Sequence, residues 1–144
     1  MNQVADVMTR DVHVVAPTDT IRQAARTMDD LDVGAVPVCE GTKLVGIVTD
    51  RDLALRAVAL GKPPDSTPVS QVMSADLRWC YDDQAVEEVM EEMSGWQIRR
   101  VPVLDREKRL VGIVSLGDMA ERGGADADAG EALKDISTPS KPDR

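Results

Sequence analysis

GIVTDRDL runs from Gly46 to Leu53, and GIVSLGDM runs from Gly112 to Met119. Each is a short β-branched run, then Thr or Ser, two residues, and Asp. Working outward, a shift of 65 residues lays VADVMTRDV (Val4 to Val12) on VSQVMSADL (Val69 to Leu77). The same shift lays Met28 on Met93, and Val36-Pro37-Val38 on Val101-Pro102-Val103. One residue inserted near Lys108 raises the offset to 66, where Leu44 to Val48 meets Leu110 to Val114 and Asp52 meets Asp118. So many matches in order establish two copies of one unit of about 55 residues. Repeats of this kind stack to bury a face that neither hides alone.

Each copy reads as β-α-β-β-α after a short helical opening that holds Val-Met-Thr or Val-Met-Ser. His13 to Val15 and Leu77 to Cys80 are the expected first strands. An amphipathic helix is expected over Thr20 to Leu31, with Ile21, Ala24, Ala25, Met28 and Leu31 on one face at helical spacing. Its twin covers Gln84 to Met93, with Val86, Val89, Met90 and Met93 inward. Two β-branched runs follow in each copy, AVPVC and LVGIVT, then RVPVL and LVGIVS. A second helix is expected from Asp50 to Leu60, and again from Leu116 to Arg122. The fold class is α+β, with two repeats packed as one pseudo-symmetric module. The expected organisation is repeat 1 over 1–61, a Pro-rich link over 62–68, repeat 2 over 69–122, and an acidic, disordered tail over 123–144.

Composition narrows the function. The net charge of −9 argues against nucleic acid and anionic membrane, which need a basic face. No run of about 18 apolar residues is present to span a membrane, and the first residues lack the pattern of a secretory signal. Two cysteines, Cys39 and Cys80, fit a reducing cytosol, so a cytoplasmic location is expected. Both read as small buried hydrophobes, with a redox pair as the alternative. His13, the single histidine, has no CxxC or HxxxH spacing around it, so no metal site is expected. Glu87, Glu88, Glu91 and Glu92 form the solvated face of one helix, and no catalytic triad can be built.

The repeated Thr/Ser-x-x-Asp supports two readings. Thr49 with Asp52, and Ser115 with Asp118, sit where a strand gives way to a helix, and the spacing is that of a capping box. Such a cap contributes on the order of 1 kcal/mol and needs no ligand. The same place also offers unpaired N–H groups and a carboxylate to a polar ligand.

The ordered set V-M-T/S, x-V-P-V and G-I-V-T/S-x-x-D, occurring twice, resembles a tandem pair of CBS domains and is similar to the small stand-alone bacterial CBS-pair proteins. The resemblance covers Val4 to Arg122. It implies two clefts that take adenosine compounds such as AMP, ADP, ATP, NAD or S-adenosylmethionine, and a homodimer. It implies that Asp52 and Asp118 hold ribose and that Thr49 and Ser115 reach ribose or phosphate. It further implies that Arg99 and Arg100, just before Val101-Pro102, face phosphates, where guanidinium forks bind in pairs. Repeat 1 has Gly34 and Ala35 at that place, and Arg51 is its one basic candidate. Val33, Ala35, Pro37, Ile98 and Pro102 are expected as apolar walls from the central strands, and Val12 from an opening strand. The expected function is a regulatory sensor with an adenosine nucleotide as regulatory ligand, no required cofactor, no catalysis, and an unknown effector protein as partner. A protein-interaction scaffold indifferent to nucleotide is the other reading.

Overall fold

The computed structural model describes residues 2–123, so the expected disordered tail falls almost wholly outside the described residues. The chain divides into two compact units. The contiguous unit holds His13–Leu77, and the split unit joins, of the described residues, 2–12 to 78–123. The folding units are therefore not the sequence repeats. Each repeat lends its opening segment, with the Val-Met-Thr/Ser motif, to the unit that carries the other repeat's strands.

In the contiguous unit, helix α2 (Ile21–Leu31) precedes strands β1 (Ala35–Glu40) and β2 (Lys43–Thr49), which pair antiparallel. Helix α3 (Asp50–Asp52) follows and continues as a π-helical run over Leu53–Val58. The split unit contains helix α1 (Val4–Val7), strand β3 (Cys80–Tyr81) and helix α4 (Val86–Trp96). Strands β4 (Arg100–Leu104) and β5 (Leu110–Ser115) then lead into helix α5 (Leu116–Gly123). β4 pairs parallel with β3 and antiparallel with β5. The α+β class is as expected. No described helix is long and apolar enough to cross a membrane.

Local chemistry sets the element ends. Thr20 caps α2 through a reciprocal box with Gln23, the Gln23 N–H reaching the Thr20 hydroxyl at 3.2 Å. α2 and α4 both end on a left-handed residue, Asp32 at φ 54° and Gln97 at φ 57°. The next N–H groups, of Val33 and Ile98, return to the carbonyls of Met28 at 3.0 Å and Met93 at 3.2 Å. The extra residue of repeat 2 is absorbed in the β4–β5 turn. There Lys108 takes φ 63° and the Asp105 carboxylate accepts from the Glu107 and Arg109 N–H groups.

Most inward positions are as the periodicity predicts. Ile21, Ala24 and Met28 are buried on α2, and Val86, Val89, Met90 and Met93 on α4. Ala25 and Leu31 are exposed instead, because the buried stripe of α2 is narrower and the chain leaves the core at its left-handed cap. The expected first strands shrink as well. His13 and Val14 are exposed, and only Val15 bridges to Val38. Leu77 to Trp79 lie outside the ladder, and pairing begins at Cys80. Both strands were expected to start at the points where the chain passes from one unit to the other, and only their far ends reach a partner. Residues 62–68 fold onto the contiguous unit, with Thr67 buried and its carbonyl accepting from Ile21 N–H at 2.9 Å.

The lent segments dock by the same contacts in both units. In the contiguous unit, Val69 N–H donates to Asp19 at 2.7 Å and Ser70 N–H to Pro17 at 3.0 Å. In the split unit, Val4 N–H donates to Gln84 and Ala5 N–H to Asp82, both at 2.9 Å. Ser74 and Ile47 then exchange N–H···O bonds at 2.8 and 3.0 Å, and Thr9 and Ile113 do the same at 2.8 and 3.0 Å. Arg56 donates to the Val72 carbonyl at 3.5 Å, and Arg122 to the Val7 carbonyl at 3.3 Å.

These contacts explain the glycine of Gly-Ile-Val. A Cβ on Gly46 would stand 2.6 Å from the Met73 sulfur and 2.9 Å from the Ser74 carbonyl. A Cβ on Gly112 would stand 2.7 Å from the Met8 sulfur and 2.8 Å from the Thr9 carbonyl. The methionine can swing aside, but the carbonyl belongs to the bridging backbone. Gly46→Ala and Gly112→Ala are each expected to cost about 1–3 kcal/mol as overpacked sites. Chemical denaturation would read this, and a variant as stable as the parent would show that the lent segment does not press on the strand.

Candidate functional site

The two Thr/Ser-x-x-Asp motifs sit at equivalent corners, where the central strand pair ends and the second helix begins. In the contiguous unit Ala35 lies opposite Thr49, and in the split unit Arg100 lies opposite Ser115. Residues directly opposed in an antiparallel pair project to the same face. Thus the residue before Val-Pro-Val stands beside the hydroxyl, and the Asp follows one helical turn on. A backbone bond closes each corner at 2.9 Å, from Asp50 N–H to the Gly34 carbonyl and from Leu116 N–H to the Arg99 carbonyl.

Both motifs form complete capping boxes. Asp52 N–H donates to the Thr49 hydroxyl at 3.0 Å, and Thr49 N–H to Asp52 Oδ2 at 2.9 Å. Asp118 N–H donates to the Ser115 hydroxyl at 3.0 Å, and Ser115 N–H to Asp118 Oδ2 at 3.2 Å. One carboxylate oxygen of each Asp is therefore used locally. The other oxygen of Asp52 faces the Arg56 guanidinium at a long 3.9 Å. Both carboxylates are half-buried, so they are held in place yet reachable from solvent.

The remaining expected residues divide by place. Pro37 and Pro102 are buried and lie opposite Ile47 and Ile113. Val33 and Ile98, each just past a helix cap, are half-buried and pack against their own unit's core. Arg99 and Arg100 are exposed, and among the described residues neither guanidinium makes an ion pair or a hydrogen bond. Arg51 is exposed, and its backbone N–H donates to Asp50 Oδ1 at 2.8 Å. Val12, half-buried, ends the segment lent to the split unit, so it belongs to the unit of Ser115 and Asp118 rather than that of Thr49 and Asp52.

One corner residue escaped the sequence reading. In the sequence Asp50 marks only the start of the second helix. Its carboxylate in fact lies over Gly34, with Oδ2 at 3.1 Å from where a Cβ would stand. The signal was present in the repeat alignment, where Asp50 meets Leu116 and Gly34 meets Arg99.

The other reactive side chains are quiet. Cys39 and Cys80 are buried in different units. Burial raises the Cys39 thiol pKa. Cys80 is pushed up to about 12, by burial first and then by the carboxylates of Glu92 and Asp82. His13 is exposed, and no group of three His, Cys, Asp or Glu among the described residues could hold a metal. Asp83 lies ahead of α4 and is gripped by Nε and Nη2 of Arg106 at 2.8 and 2.7 Å. That pairing holds its carboxyl below the usual range. Trp96 packs on the split-unit core with the Arg78 guanidinium 5.8 Å from its ring centroid.

The profile of the CBS domain matches residues 4–58 and again residues 69–123. The chain belongs to the CBS-domain family. It carries two CBS domains, and relatives agree along its length. CBS domain-containing protein YhcV of Bacillus subtilis (strain 168) is 44% identical over 137 residues, covering 95% of this chain and 96% of that protein. A crystal structure of CBSX2 in complex with AMP superposes with a TM-score of 0.75 at 27% identity, covering 88% of this chain and 99% of that one. The CBS domain pair of MJ0100, in complex with 5′-methylthioadenosine and S-adenosyl-L-methionine, gives 0.72 at 29% identity and covers 88% and 98%.

Two outcomes are expected from these local arrangements. Thr49→Ala and Ser115→Ala each remove a cap and should lower stability by about 1 kcal/mol in denaturant titration; an unchanged midpoint would mean the box carries no helix stability. The Cys80 thiol should resist a thiol reagent at pH 8 in the native protein and react once denaturant opens the core. Rapid native labelling at Cys80 would contradict its burial. Its raised pKa favours the folded state below the ordinary thiol pKa, and that contribution fades as pH rises towards 12.

Proposed function

We propose that this CBS pair is a regulatory module that binds an adenosine nucleotide at its strand-to-helix corners and signals by a change of conformation or association. The observation that carries the reading is the Ser115 corner. Arg100 stands opposite Ser115, Asp118 follows one turn on, and both Arg99 and Arg100 are exposed with no partner among the described residues. A hydroxyl, a fixed carboxylate and two unengaged guanidinium groups suit a ribose with a phosphate on it. Asp118, and Asp52 in the other corner, would accept from ribose hydroxyls through lone pairs left over from the caps. Ser115 would reach ribose or phosphate, and Thr49 would reach ribose. Pro102 with Ile98, and Pro37 with Val33 and Ala35, would form the dry walls for adenine, with Val12 beside the Ser115 set and Arg51 as the basic group of the Thr49 set.

AMP in CBSX2 and adenosyl compounds in MJ0100 support the ligand class. No catalytic arrangement enters this reading. The nucleotide acts by population shift, favouring the conformer it binds more tightly. The output goes to an effector protein in the cytoplasm. Leu55 and Val58 on the helical run and Leu60 in the turn after it, 51%, 77% and 66% exposed, support a homodimer.

A scaffold without nucleotide dependence has one observation in its favour, since both capping boxes are complete with no ligand present. Calorimetric titration with AMP, ADP, ATP and NAD separates the readings. Micromolar binding, weakened at least tenfold in Asp118→Ala and in Arg100→Ala, is the expected result. No heat and no thermal shift with any adenosine compound would leave the scaffold.

A further inference from the structure

The two corners share one backbone plan and carry opposite charge. Gly34 and Arg99 hold the same place, each accepting the N–H that opens the second helix at 2.9 Å. At Arg99 a guanidinium chain starts there. At Gly34 a Cβ would meet the Asp50 carboxylate, with Oδ2 at 3.1, Cγ at 3.5 and Oδ1 at 3.7 Å. The missing side chain is what lets that carboxylate lie over the strand end. The Arg51 N–H fixes its Oδ1 at 2.8 Å, and Asp50 is exposed. In the Ser115 corner, Leu116 and Gly117 stand where the Thr49 corner has Asp50 and Arg51, so the start of α5 adds neither charge. Among Gly34, Ala35 and Asp50 to Asp52 the net charge is one negative. Among Arg99, Arg100 and Leu116 to Asp118 it is one positive.

We propose that Asp50 makes the Thr49 corner select against phosphate. Its ligand is then an adenosine whose 5′ substituent is neutral or cationic, such as a 5′-thioether or a sulfonium, while the Ser115 corner takes the 5′-phosphate. The proposal rests on the reading of both corners as adenosine sites. A phosphate at the Gly34 place would be brought against a carboxylate with no guanidinium nearby on the strand end. A sulfonium there would gain the attraction that the phosphate loses. Arg51 follows Asp50 directly, yet its backbone N–H holds the acid in place rather than removing it, and the corner's other cation, Arg56, faces Asp52 and the Val72 carbonyl.

The test is calorimetric titration of the full chain with AMP and with S-adenosylmethionine, each alone and each after saturation with the other. The expected result is one AMP and one S-adenosylmethionine per chain, bound without competition. Asp50→Asn is expected to weaken S-adenosylmethionine about tenfold, on the order of one removed charge at close range, and to admit a second AMP. Gly34→Arg with Asp50→Leu, which installs the other corner's residues, is expected to give two AMP per chain. Asp50 is exposed and its ladder bond uses the main chain, so Asp50→Asn keeps the fold. Two equivalent AMP sites in the parent chain, competition between the two ligands for one site, or Asp50→Asn leaving both isotherms unmoved would overturn charge selection while leaving adenosine binding intact. No binding of either ligand by the parent chain would overturn the adenosine-site reading and the selection with it.

Discussion

The close approach of a methionine and a backbone carbonyl to a glycine is the contact on which the rest of the architecture depends. Gly46 beneath Met73 and Ser74, and Gly112 beneath Met8 and Thr9, let a segment from the other repeat lie flat on the last strand. That strand would otherwise be an open edge with unpaired N–H and C=O groups. Bridging by Ser74 or Thr9 satisfies part of it, and the arginine nearly two turns into the second helix anchors the carbonyl of the valine before the methionine. Any side chain at the glycine would push the backbone away and leave those groups unpaired.

With the strand end held in this way, the corner above it becomes a stable platform. The capping box fixes the hydroxyl and the carboxylate in relation to the strand, and the antiparallel register fixes which residue stands beside them. Chemistry can then vary at the positions that the backbone plan leaves open. Gly34 against Arg99, Ala35 against Arg100, and Asp50 against Leu116 change the charge of a corner without changing any of its main-chain bonds.

Much of this was legible in the sequence because each signal was local or repeated. Strands β4 and β5 fall where the β-branched runs place them. The caps are the Thr/Ser-x-x-Asp motifs themselves, and the buried faces of α2 and α4 follow from helical spacing. What stayed hidden was non-local. The alignment showed that Val-Met-Thr and Val-Met-Ser recur, but no pattern within a repeat says that its methionine packs in the unit built on the other. For the same reason the first strands were drawn too long, starting at the points where the chain changes unit. The place of Asp50 stayed hidden because its neighbour, the bare main chain at Gly34, offers no side chain to read.

The exchanged opening segments also bear on how such a chain can arise and be divided. The unit of inheritance is the repeat, whereas the unit of folding draws strands from one repeat and a clasp from the other. A scission in residues 62–68 would therefore deliver two fragments, each holding a sheet whose covering segment left with its sibling. A single-copy ancestor following the same chain path would have needed a second molecule to cover its sheet. Duplication within one chain turns that intermolecular requirement into an intramolecular one, at an effective concentration no free fragment reaches.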